Sequence, residues 1–145
     1  RQLHHRDNQI VNKINAFIIT LMDDPKSVKA ANTCIKSIHE TKSPLLPFIF
    51  PAIDSSRAMR EADARNLEYS YPLGMARQEY GLLLTPYATK DINKRIGCFL
   101  SHFSLWEMIS DMDPLSYFII LEQDAKLVNQ FDKEYFDDVL EREFI

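Results

Sequence analysis

Residues 117–124 read YFIILEQD, five apolar or aromatic residues followed by three polar ones, two of them acids. Tyr117 to Leu121 presents no polar residue to either side of a pleat. It reads as a strand covered on both faces, and strands of that kind belong to parallel sheets. Two earlier stretches share the character. Ile14 to Thr20 (INAFIIT) is short, apolar and rich in β-branched residues. Leu45 to Phe50 (LLPFIF) is a second such run, and Pro47 within it points to a sheet edge or a bulge.

Helical patterns separate the runs. Asp24-Pro25 is an N-cap followed by proline at the first helical position, and Val28, Ala31, Ile35 and Ile38 continue at helical spacing until Ser43-Pro44. Arg57 to Leu67 reads as a short charged helix. Asp91 to Met112 is a longer one, with Ile96, Phe99, Leu100, Phe103, Trp106 and Ile109 on its apolar face and Trp106 expected in the core. Phe131 to Glu143 is an acidic amphipathic helix. Arg1 to Lys13 is a lead-in, and Glu68 to Thr89, with Tyr69, Tyr71, Tyr80 and Tyr87, is an irregular excursion. The alternation implies an α/β fold with a mainly parallel sheet flanked by helices.

The 145 residues suit one domain, with 46% apolar and 26% charged residues, which excludes wholesale disorder. A net charge of −4 and a pI near 5.5 argue against duplex nucleic acid as the main partner. No window approaches about 18 unbroken apolar residues, so no membrane span is expected. The polar start, Arg1 to Asn8, does not read as a signal peptide, and a chain opening on Arg1 is expected to be an excerpt. Cys34 and Cys98 make no disulfide framework; both read as small buried apolar residues, and the expected compartment is cytoplasmic. His4 and His5 read as solvated.

Ligands of parallel sheets bind beyond the carboxyl ends of the strands. Three segments qualify: Thr20 to Asp24, Pro51 to Ser56, and Glu122 to Asp124. Glu122 and Asp124, spaced i, i+2, leave the strand on one side and can converge on a hard cation such as Mg²⁺ or Mn²⁺, or they can simply face solvent. Asp54 can accept from a ribose or base, or close an Asx turn before the next helix. Lys94 and Arg95 read as preceding a helix start, where the dipole favours an anion. Cys98 and His102 are helix neighbours, but no third group orients them as a nucleophile and base. Among the glycines, Gly74, Gly81 and Gly97, none opens a helix after a strand, so no phosphate loop is present.

Two segments together carry a resemblance. Arg95 to Trp106 (RIGCFLSHFSLW) and Tyr117 to Ala125 (YFIILEQDA) resemble the signature of glycosyltransferase family 25, which has Gly-Cys, Ser-His and Leu-Trp on a helix, then a strand ending in Leu-Glu-Asp-Asp. Phe50 to Asp54 resembles that family's second-strand segment. The resemblance covers Ile14 to Val128 and implies a GT-A-like, Rossmann-like nucleotide-sugar domain over residues 14–145, with the acceptor half absent. It implies inverting transfer of a sugar, galactose above all, from a UDP-sugar to a hydroxyl of a glycan, lipopolysaccharide or protein. Mn²⁺ or Mg²⁺ would sit on Glu122 and Asp124 as a DxD-like motif. Thr20, Asp54, Arg95, Ser101 and His102 would lie at the nucleotide-sugar, and no residue is assigned as catalytic. Gln123 stands where the family has an acid. The alternative reading is a degenerate, inactive relative used for binding or assembly.

Overall fold

The computed structural model describes residues 13–66, 86–113 and 116–144. Its elements are β1 (Ile14–Thr20), α1 (Pro25–Glu40), β2 (Leu45–Pro51), α2 (Ala58–Ala64), α3 (Pro86–Ser110), β3 (Phe118–Glu122) and α4 (Lys133–Phe144). The fold is α/β, with a three-stranded parallel sheet in the order β2-β1-β3 and flanking helices, compatible with a Rossmann-like arrangement. Pro47 therefore lies in an edge strand, where its missing N–H costs no ladder bond on the outer side. The chain divides into two compact units, Arg1–Phe50 with Leu115–Ile145, and Pro51–Pro114.

In the first unit β1 pairs with β3 in parallel, from Asn15 opposite Phe118 to Ile19 opposite Glu122. Ile14, Ala16 and Ile18 project to one face, where they pack with Ala31, Cys34 and Ile38 of α1 and with Leu45. Ala125, Leu127, Phe131 and Phe136 close over the same cluster. On the opposite face Phe17 lies between Phe48 and Phe118, with ring centroids 5.6 and 5.8 Å away. A strand with apolar side chains on both faces is stable only when both are covered.

Asp24 caps α1 as its position before Pro25 predicts, accepting from the Lys26 amide at 3.0 Å. The buried stripe is rotated from the predicted one. Ser27, Ala31, Cys34, Ser37 and Ile38 are its innermost residues, while Val28 and Ile35 are half-buried. The serines are buried because distant backbone needs them. Ser37 Oγ accepts from Leu127 N at 2.9 Å and donates to the Cys34 carbonyl, and Ser43 Oγ accepts from Phe131 N at 2.9 Å. The helix stops in a Schellman motif: Ser43 N donates to Ile38 O and Lys42 N to His39 O, with Lys42 at φ 53°. The stop thus falls just before the predicted Ser43-Pro44.

In the second unit Ala58 and Ala62 of α2 pack on Ile96 and Leu100 of α3, and Arg65 pairs with Glu107. The structure corrects the sequence reading of α3 in three ways. The helix begins at Pro86, so residues 86–89 are helical and not part of the excursion, whose residues 67–85 lie outside the described ones, as does the lead-in through residue 12. Its packed face carries Ile96, Gly97, Leu100, Ser101 and Leu105, whereas Phe99 and Trp106 are each 52% exposed, so Trp106 is not core. Cys98 is likewise exposed, unlike Cys34. The reason is steric. The alanines of α2 and the backbone at residue 53 approach α3 closely, which selects its small-residue side for contact and leaves the aromatic side outward.

These placements predict unequal thiols. Cys98 should react within minutes with a disulfide exchange reagent in the native protein, while Cys34, whose burial raises its pKa, reacts only on unfolding. Equal rates would refute the placement. Removing the Ser37 hydroxyl by Ser37→Ala should destabilise the fold by about 1–3 kcal/mol in urea titrations, because it leaves the Leu127 amide unpaired.

Candidate functional site

The carboxyl ends of β1 and β3 lie side by side. Ile19 is opposite Glu122, so Thr20 and the Glu122–Asp124 segment end adjacent strands at one sheet edge. The Thr20 side chain is fully buried and its Oγ1 donates to the Ile18 carbonyl at 3.0 Å, so it shapes the strand end. The loop after it is short and pinned. Asp24 N donates to Leu21 O, and Leu21 N donates to the hydroxyl of Ser27 at 2.9 Å. Sequence reasoning did not single out Ser27; its signal is a serine three residues after the N-cap aspartate.

β3 ends in a turn, closed by the Ala125 amide donating to the Glu122 carbonyl at 3.0 Å. Glu122 and Asp124 are exposed there, with the half-buried Gln123 between them. Both acids thus belong to one turn, Glu122 as the last residue of β3 and Asp124 beyond it. Carboxylate oxygens are hard donors, the type that suits Mg²⁺ or Mn²⁺. The Gln123 amide adds no charge.

The other predicted residues belong to the second unit. Asp54 closes an Asx turn: its Oδ1 accepts from Ser56 N at 2.8 Å, from the Ser56 hydroxyl and from Arg57 N at 3.2 Å, and its Oδ2 lies 3.7 Å from Arg57 Nε. The Ser56 hydroxyl is the main cause that holds the Asp54 carboxyl below its ordinary pKa, with the backbone donors and Arg57 acting in the same direction. Ser101, almost fully buried, accepts from Ile53 N at 2.9 Å and donates to the Gly97 carbonyl at 2.7 Å. At Gly97 an added Cβ would meet the Ile53 carbonyl oxygen at 2.7 Å, so only glycine permits this approach. Sequence reasoning assigned no role to Gly97.

Arg95 and His102 lie two turns apart on the same side of α3. His102 is half-buried, its ring 6.2 Å from that of Trp106. The helix-start rationale for Lys94 and Arg95 fails. Both sit beyond the second turn of a helix that begins at Pro86, and the dipole's pull on an anion falls off within the first turn. The structure therefore groups Thr20, Glu122 and Asp124 in one unit and Asp54, Arg95, Ser101 and His102 in the other.

Residues 17–145 match the model of a family described as glycosyltransferase family 25 (LPS biosynthesis protein). The chain belongs to glycosyltransferase family 25. It is also similar to procollagen galactosyltransferase 2 of Mus musculus and of Homo sapiens, at 36% identity over 50 residues in each case. That stretch is 34% of this chain and 8% of either relative. No solved structure gives a significant match. Among the described residues of this family 25 chain, no helix is long and apolar enough to cross a membrane.

The Asp54 turn carries a pH signature. A carboxylate with a lowered folded-state pKa contributes stability above its unfolded value, about 3.9, and that contribution is lost as pH falls through the lowered value. Carbon-13 titration of the Asp54 carboxyl should give a midpoint below the ordinary range, and Ser56→Ala should raise it. A midpoint unmoved by Ser56→Ala would assign the shift to another cause.

Proposed function

We propose that this chain is the donor-binding part of a family 25 glycosyltransferase. The whole enzyme transfers galactose from a UDP-sugar to a hydroxyl of a glycan, lipopolysaccharide or protein, with inversion at the anomeric carbon. The observation that carries the reading is the Glu122–Asp124 turn at the end of β3, beside the end of β1, in a chain that matches the family from residue 17 to 145. The galactosyltransferase name of the relatives supports the choice of sugar. The two free thiols suit a reducing, cytoplasmic compartment.

Glu122 and Asp124 would hold Mn²⁺ or Mg²⁺, which when bound neutralises the diphosphate leaving group. The acceptor oxygen forms its bond to the anomeric carbon from the face opposite the diphosphate. The sugar–phosphate bond breaks with its electron pair on the leaving oxygen, and the hydroxyl proton passes to a general base. None of the described residues is assigned as that base. The Ser27 hydroxyl holds the loop after Thr20 close to the sheet edge, and Asp54 presents a carboxylate that stays ionised at neutral pH for a ribose or base contact.

A second reading, a degenerate relative kept for binding or assembly, is favoured by Gln123 in place of the family's middle acid. Calorimetric titration of UDP with and without Mn²⁺ separates the two. A working donor site should bind UDP in a Mn²⁺-dependent way, at least about tenfold more weakly after Asp124→Ala, since one charged ligand is worth more than about 1.4 kcal/mol. Binding that ignores both Mn²⁺ and Asp124→Ala would sink the metal reading, and absent binding would favour the degenerate one.

A further inference from the structure

We propose that Gly97 and Ser101 are positioning residues, a seat on α3 that fixes the backbone at Ile53 and thereby sets where the Asp54 carboxylate stands for donor binding. The proposal rests on the donor-site reading above and changes the role of Ser101 within it. The family resemblance implied a ligand contact for Ser101. The Ser101 side chain is 2% exposed, and its hydroxyl both accepts from Ile53 N and donates to the Gly97 carbonyl. Its only proton is committed inside the fold, so it has none to give a ligand.

The two positions are one helical turn apart and serve two atoms of a single residue. Ser101 holds the Ile53 amide, and the missing side chain of Gly97 makes room for the Ile53 carbonyl, which a Cβ would crowd at 2.7 Å. Asp54 follows directly in the chain. Its carboxylate is then oriented by its own turn through Ser56 and Arg57. Positioning thus has two stages: the seat places the backbone, and the turn aims the side chain. Small residues at i and i+4 of a helix are what such close backbone approach demands.

The test is a double-mutant cycle on UDP affinity in the presence of Mn²⁺, using Ser101→Ala, Gly97→Ala, Asp54→Asn and the Ser101→Ala/Asp54→Asn pair. Ser101→Ala and Gly97→Ala should each weaken UDP by about tenfold, the cost of one misplaced charged hydrogen bond. Asp54→Asn should weaken it as much or more, and the double variant should be no weaker than Asp54→Asn alone, because the seat acts through that carboxylate. Amide exchange supplies the ligand-free signature: the Ile53 proton should exchange faster in Ser101→Ala while the amides of β1 keep their protection. If Gly97→Ala does not fold, Ser101→Ala decides. Losses that multiply in the double variant, or UDP affinity unchanged while the Ile53 amide is released, would overturn the positioning role and leave the donor site standing. A wild-type chain that binds no UDP would overturn both.

Discussion

The two-sided burial of β1 is the constraint on which the first unit depends. From Ala16 onward neither face of the strand offers water a polar side chain until Thr20, and Thr20 spends its hydroxyl on the Ile18 carbonyl. Such a strand must sit inside a sheet, with β2 on one side and β3 on the other, and must be roofed on the Ile14–Ile18 face by α1 and by the chain after β3. Parallel pairing follows from the helical crossovers between strands. It has a chemical consequence. Strands that run the same way deliver their loops to the same edge, so the turn bearing Glu122 and Asp124 ends next to the loop after Thr20.

Hydroxyls on helices do the joining. Ser27 takes the Leu21 amide, Ser37 the Leu127 amide and Ser101 the Ile53 amide, while Ser43, just past the end of α1, takes that of Phe131. Each satisfies an N–H that would otherwise be stranded where no strand or helix ladder reaches it. A serine suits the purpose because its side chain is short, so the accepted backbone can lie close to the helix, closest of all at Gly97. The acids perform different work. Asp24 closes a helix, Asp54 closes a turn, and Glu122 and Asp124 remain at the surface of the sheet edge.

The elements that local patterning governs are legible in the sequence. Three apolar runs became three strands, Asp24-Pro25 became a helix start, and Pro47 marked an edge. The two acids share one turn because the apolar run, and with it β3, stops at Glu122 and the chain turns at once. The face of α3 was not legible. Its apolar residues extend round much of the helix, and periodicity alone does not say which sector meets a partner. The alanines of α2 and the backbone at residue 53 chose the side with Gly97 and Ser101, which turned Trp106 and Cys98 outward. The place of Arg95 within its helix is hidden for a related reason, since the helix starts at Pro86, ahead of the apolar pattern that reveals it.

The division follows from the range of the forces involved. Residue order alone dictates what neighbours along the chain settle among themselves: strands, caps, the Asx turn at Asp54, and the family-type motif from Arg95 to Trp106. Packing between distant segments dictates the rest: the buried serines, the need for glycine at residue 97, and the placing of Ile53 against Ser101. Those contacts join residues 48 or 90 positions apart. A hydrogen bond or a steric gap across such a separation exists only once the chain has folded, so no window of sequence contains it.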